Sequence, residues 1–159
     1  MVTLPIFRHN YDIGGAHYFV NLIIDSLPID FLIDTGASNT VISIDLAKQL
    51  ESYNKKINLS DNPIITFSDT ISEVAIIPII NFQIGEEILN DIIVVATDFS
   101  FIKNQSSIKE FKSFDAVLGM DLLTLFKTKI DFKNNKIDFF LPSKKFLKDY
   151  YNNLLKNIP

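Results

Sequence analysis

The chain contains no cysteine and no tryptophan, only two histidines, and five glycines. The missing cysteines exclude disulfides and thiol catalysis and leave the redox compartment open. His9 and His17 are too few for a zinc-type ligand set, and no His-Glu-x-x-His is present. They flank Gly14-Gly15 and read as loop residues, so neither a metal nor a cofactor is expected. Basic charge is in no excess: 15 Lys and Arg stand against 19 Asp and Glu, a net charge of −4, with the lysines scattered among acids. Such a chain lacks the electrostatic footprint of a nucleic-acid binder. Long apolar runs are absent too, the strongest stretch, residues 74–80, being broken by Pro78. No basic segment leads into an apolar run at the N-terminus. Neither a signal peptide nor a membrane span is therefore expected, with the cytoplasm as the default location. Gly14-Gly15 lacks the strand-to-helix setting and the Lys-Ser/Thr pair of a phosphate loop, and there is no Gly-x-Ser-x-Gly elbow.

What remains is an apolar, strand-rich chain. Its 159 residues are 47% hydrophobic, enough for one globular domain over residues 1–159, with a core at about 15–141. Branched and aromatic runs at residues 18–24 and 29–33, separated by Asp25-Ser26-Leu27-Pro28, predict a hairpin. Val41-Ile42-Ser43 leads into residues 44–50, whose spacing suits a short helix capped by Ser43. A second hairpin is expected from residues 64–67 and 73–80, and further strands at 79–85 and 88–95. Lys133-Asn134-Asn135 predicts a third turn between strands at 130–132 and 136–141. Residues 143–156 place Phe146, Leu147, Tyr150, Tyr151, Leu154 and Leu155 at helical spacing, which predicts an amphipathic C-terminal helix capped by Ser143.

The chemistry centres on Phe31-Leu32-Ile33-Asp34-Thr35-Gly36-Ala37-Ser38. A buried strand here runs directly into a carboxylate. A carboxylate at the lip of an apolar core is costly unless its charge is shared, hydrogen-bonded or neutralised, so some group must face Asp34. Gly36 permits close backbone approach or positive φ, which would turn main-chain donors toward it. Thr35 adds a hydroxyl able to bond across to another backbone.

This stretch resembles the active-site loop of aspartic proteases. About eighty residues on, Asp115-Ala116-Val117-Leu118-Gly119-Met120-Asp121-Leu122-Leu123 looks like the second signature of that family, with Val117, Leu118 and Gly119 packing behind the loop ahead of a short helix. Only one Asp-Thr-Gly is present, because Asp69-Thr70 is followed by Ile71. The resemblance is therefore to the single-domain, retropepsin-like branch. It implies a mainly β chain forming a closed or partly open β-barrel, with short helices and the C-terminal helix as an extension.

The resemblance further implies an aspartic endopeptidase acting on a peptide or protein substrate. Homodimerisation would be required for activity, since Asp34 of one subunit must face Asp34 of the other across a two-fold axis. Thr35 and Gly36 would support the catalytic loop. Substrate would be bound by Ala37, Ser38 and Asn39 on the cleft floor, and by Phe67, Ser68, Asp69, Thr70 and Ile71 in a flap hairpin that has no glycine between Gly36 and Gly85. The rival reading is an inactive dimerisation or peptide-binding module of the same fold. The intact Asp34-Thr35-Gly36 argues against it, because a purely structural dimer gains nothing from facing two carboxylates.

Ala37 carries no hydroxyl to favour the ionised carboxylate, so the pH–rate profile is expected to peak between mildly acidic and near-neutral pH. A peak well below about pH 4, the range of an unperturbed carboxyl, would contradict this.

Overall fold

The computed structural model describes residues 1–11, 14–58, 74–100 and 112–156. The first hairpin forms as its sequence dictates. Strand β2 (Ala16–Ile24) turns at Asp25 and Ser26 into β3 (Leu27–Ile33), and both turn residues have positive φ, 48° and 70°. That backbone matches the right-handed twist of the flanking strands and suits an Asp at the first position. The Asp25 carboxylate also accepts the N–H groups of Ser52 (2.7 Å) and Asn81 (3.1 Å), which ties the turn to the next layer of chain.

One strand lies outside the expected set. Residues Val2–Asn10 form β1, whose first half pairs with β12 (Lys136–Phe139) and whose second half pairs with β2. Pro5 stands at the changeover, the last residue in register with β12 before Ile6 joins β2, where a missing N–H is tolerated. His9 and His17 consequently face each other on paired strands rather than in a loop, a correction to the sequence reading.

After β4 (Val41–Ser43), helix α1 (Ile44–Ala47) is shorter than expected. Ser43 caps it by accepting from the Leu46 N–H, and a 3-10 turn (Glu51–Lys55) follows. Short strand β5 (Ile57–Asn58) pairs with β6 (Ala75–Ile79). The apolar run at 79–85 does not continue as one strand. It breaks at residues 80–81, where Asn81 is held by Asp25, and resumes as β7 (Phe82–Ile84) in a hairpin with β8 (Glu87–Leu89). The outer wall continues with β9 (Ile92–Thr97) beside β6. Strand β10 (Ala116–Leu118), helix α2 (Met120–Leu125), β11 (Lys129–Asp131), β12 and helix α3 (Lys144–Lys156) complete the described chain.

These strands form one sheet in the order β11-β12-β1-β2-β3-β10-β4-β9-β6-β5, with β7 attached to β2 and β8 to β7. Among the described residues β11 and β5 do not meet, so the sheet is not closed. The crossover at its centre governs the site. Strand β10 inserts between β3, to which it is parallel, and β4, to which it is antiparallel, so that it lies between the two strands joined by residues 34–40.

Both faces of the sheet are buried here. Val20, Leu22, Phe31, Ala116 and Leu118 point into the main core with Phe82, Phe126 and Phe139. Their neighbours Phe19, Leu32 and Val117 point the other way, into a second cluster with Phe99 and Phe114, against which Ala37 and Val41 pack. Two-sided burial explains why residues 31–33 and 116–118 are continuously apolar rather than alternating. Phe31 is fully buried. Phe31→Ala is expected to destabilise the fold by about 3–5 kcal/mol, measured by urea denaturation, whereas truncation of exposed Phe7 should cost less than about 0.5 kcal/mol.

Candidate active site

Asp34 is the first residue beyond β3. Its backbone still belongs to the sheet, because its N–H donates to the Leu118 carbonyl at 3.2 Å. The chain then turns sharply: the Ala37 N–H donates to the Asp34 carbonyl (3.2 Å) and the Gly36 N–H donates to Asp34 Oδ1 (2.8 Å). The half-buried carboxylate thus holds a main-chain donor from its own loop. Positive φ is not what Gly36 supplies, since Gly14 and Gly85 are the glycines that adopt it. Gly36 instead supplies closeness, because a Cβ there would lie 3.1 Å from Asp34 Oδ1.

Behind the loop, Gly119 meets a harder constraint. A Cβ at that position would sit 2.4 Å from the carbonyl carbon and oxygen of Asn39 and 2.9 Å from the Thr40 nitrogen. Only glycine lets the two backbones pass. The first turn of α2 then holds the loop from below: the Met120 N–H donates to the Ala37 carbonyl (2.8 Å) and the Asp121 N–H to the Ser38 carbonyl (3.2 Å).

Side chains close the arrangement. Asp121 Oδ1 accepts from the Thr40 N–H (2.8 Å), the Thr40 hydroxyl (2.7 Å) and its neighbour Leu122 N–H (2.7 Å), while the fully buried Thr40 hydroxyl also accepts from the Gly119 N–H (3.1 Å). A parallel tie joins Ser43 to Asp115, hydroxyl to carboxylate at 2.8 Å and N–H to carbonyl at 2.7 Å. The partnership of Thr40 and Asp121 joins positions 81 residues apart, and the sequence reading had assigned neither residue a role. The one signal was Asp121, two residues after Gly119, at the start of a helix.

The sequence-predicted residues are distributed as follows. Thr35, Gly36, Ala37 and Ser38 line a cleft of about 520 Å³, together with Met120, Asp121, Thr124, Leu125 and Tyr150. Asn39 is exposed and lies against Gly119. Val117, Leu118 and Gly119 form the wall behind the loop. Phe67, Ser68, Asp69, Thr70 and Ile71 lie outside the described residues. Among the described residues no group of three His, Asp or Glu side chains is placed to hold a metal ion, and no helix is long and apolar enough to cross a membrane.

His17 is an addition to the set. Continuing the β2–β3 register two residues beyond the Phe19–Leu32 pair brings His17 opposite Asp34. Its Nδ1 is 2.7 Å from the Tyr11 hydroxyl, and its ring meets Tyr11, Phe19 and Phe114 edge-on. Burial pushes the His17 pKa below its usual value, the negative charge of Asp34 pulls it up, and His9 pushes it down.

The strand hairpin, the turn carrying one carboxylate, and the strand-glycine-helix unit behind it form one continuous arrangement around Asp34. The chain belongs to the aspartyl protease family, whose sequence model matches residues 20–122. Solved structures agree on the fold. The retroviral protease-like domain of Ddi1 from Leishmania major superposes with a TM-score of 0.57 at 14% identity, covering 76% of this chain and 86% of that one. A retropepsin-like aspartic protease from Rickettsia conorii gives 0.54 at 20% identity, covering 86% of each chain. No curated protein matches by sequence.

Two outcomes follow from this geometry. Asp121→Ala strands the Thr40 and Leu122 donors and should cost about 3 kcal/mol in denaturant unfolding, whereas Asp121→Asn keeps a carbonyl acceptor and should cost less than half of that. By NMR titration, His17 should show a midpoint below the usual 6.5, and Asp34→Asn should lower it further by removing the charge that raises it. Its stabilising contribution is complete above about pH 6.5 and is lost as the pH falls from there toward the folded-state midpoint.

Proposed function

We propose that the protein is an aspartic endopeptidase whose active site forms from the Asp34 loops of two identical subunits. The observation that carries this reading is the loop itself. A single Asp-Thr-Gly turn, braced from behind by Gly119, Thr40 and Asp121, holds one half-buried carboxylate, and the residues that follow it line a cleft. Membership of the aspartyl protease family supports the reaction class.

One such loop supplies half of the chemistry. In a two-fold pair the same patch meets itself, so the two Asp34 carboxylates come together. Like charges at that distance do not both ionise readily, and the pair shares one proton. The ionised member takes a proton from a water molecule as its oxygen attacks the scissile carbonyl carbon. The protonated member donates to the carbonyl oxygen, giving a neutral gem-diol. Collapse of that diol returns a proton to the leaving nitrogen as the C–N bond breaks. No covalent enzyme intermediate and no cofactor is involved.

The binding roles follow the same logic. Ala37 and Ser38 form the cleft floor, with Asn39 beside them, and backbone groups there bond an extended peptide. The Ser38 carbonyl is already engaged by Asp121, which leaves its exposed side chain facing the substrate.

Peptide-library cleavage by wild type and Asp34→Asn tests the proposal. Wild type should cleave with a rate that rises faster than linearly with protein concentration, and Asp34→Asn should lower it by about a thousandfold or more. A dimer that binds peptides with equal affinity before and after Asp34→Asn, and cuts none, would identify a binding module instead.

A further inference from the structure

We propose that the exposed apolar stripe of α3, formed by Phe146, Tyr150 and Leu154, is a surface that a second copy of this chain covers when two Asp34 loops are brought together. The proposal rests on the two-subunit reading above and adds to it a surface that holds the pair.

Helix α3 is apolar over a wider arc than its own subunit uses. Leu147 and Tyr151 are buried against the main core, and Leu155 packs beside them. Phe146, Tyr150 and Leu154 follow one another at intervals of four, so they share a face adjacent to the buried one. They remain 53%, 41% and 43% exposed. The rings of Phe146 and Tyr150 stack with centroids 6.2 Å apart and planes within 15°, which makes a flat, preformed apolar surface. The charged side chains of the helix, Lys144, Lys145, Lys148, Asp149 and Lys156, fall outside the arc that these three residues span, so charge is kept off this stripe.

Its location selects the occupant. Tyr150 lines the same cleft as Thr35, Gly36 and the exposed Met120. Through Tyr150 the stripe reaches the cleft that residues 35–38 of the Asp34 loop line. The chain holds one Asp-Thr-Gly, so the second carboxylate must arrive on another copy, and that copy must approach this cleft. In a two-fold pair each subunit brings its own stripe to the shared interface. A patch of stacked aromatics with a leucine one turn on, bordered on one side by Asn153, Asp149 and Lys156, has the anatomy of such an interface.

The test is a dilution series by sedimentation velocity on the full chain, wild type against the double variant Phe146→Lys/Leu154→Lys. The expected result is a dimer dissociation constant at least tenfold higher in the variant. Its unfolding midpoint at monomeric dilution should be unchanged, and cleavage should be recovered at high protein concentration. The absence of native cysteine allows a second measurement that does not depend on the charge change. A single thiol in Phe146→Cys should react with a maleimide at least fivefold more slowly at dimeric than at monomeric concentration, while Ile88→Cys, on the β7–β8 hairpin, reacts equally at both. Unchanged dimer affinity in the double variant, or a concentration-independent rate at Phe146→Cys, overturns the surface while leaving the two-subunit enzyme intact. A wild-type chain that stays monomeric at every concentration overturns the two-subunit reading, and this surface with it.

Discussion

Three donors converging on one carboxylate oxygen of Asp121 hold together the part of the molecule where chemistry would occur. Two of them come from Thr40, where the Asp34 loop re-enters the sheet, and the third from Leu122, in the helix that follows β10. The loop between β3 and β4 is thereby fixed at its far end by a residue from the other side of the crossover. Hydrogen bonds to a carboxylate are stronger than those between neutral groups, and a buried donor left without its acceptor is costly. The Asp34 carboxylate inherits its position from this clamp, through the carbonyls of Ala37 and Ser38 that the first turn of α2 holds.

The clamp works because the sheet around it is rigid on both faces. The main core fixes Phe31, Ala116 and Leu118, and the second cluster fixes Leu32 and Val117. Neither strand can tilt without opening a void on one side, and close-packed interiors resist that. The glycine between strand and helix then has no freedom to be anything else, since the Asn39 backbone occupies the space of its side chain. A carboxylate displaced by an ångström loses most of its value as a proton-transfer group. Packing beyond the loop therefore decides where the Asp34 carboxylate sits.

The legible parts of the fold were those written in local patterns. The hairpin delivering Asp34 showed itself through branched and aromatic runs around a turn, and α3 through its heptad-like spacing. The Asn134-Asn135 turn was visible because Asn tolerates positive φ, as Asn135 does at 51°. Strand β1 was hidden because Pro5 interrupts it and because it is built from two short pairings with different partners. The break at residues 80–81 was hidden because it answers to Asp25, fifty-six residues upstream. Within the site, Asp34 and the glycines announced themselves through residue type, while the Thr40–Asp121 clamp and the facing of His17 toward Asp34 are consequences of register. Register is a property of the assembled sheet, and a single sequence does not display it.

The insertion of β10 between β3 and β4 also sets an order of events. The loop carrying Asp34 is synthesised early, but the strand that must slide in behind it, and the aspartate that clamps it, follow some eighty residues later. Contacts so distant along the chain close slowly, because loop entropy is spent before they form. A nascent or truncated chain ending before Asp121 holds every atom of the Asp34 turn but not the Asp121 carboxylate that clamps its far end. Such a chain carries the Asp34 carboxylate on an unfinished sheet, so the turn takes its folded position only once the chain through Asp121 is in place.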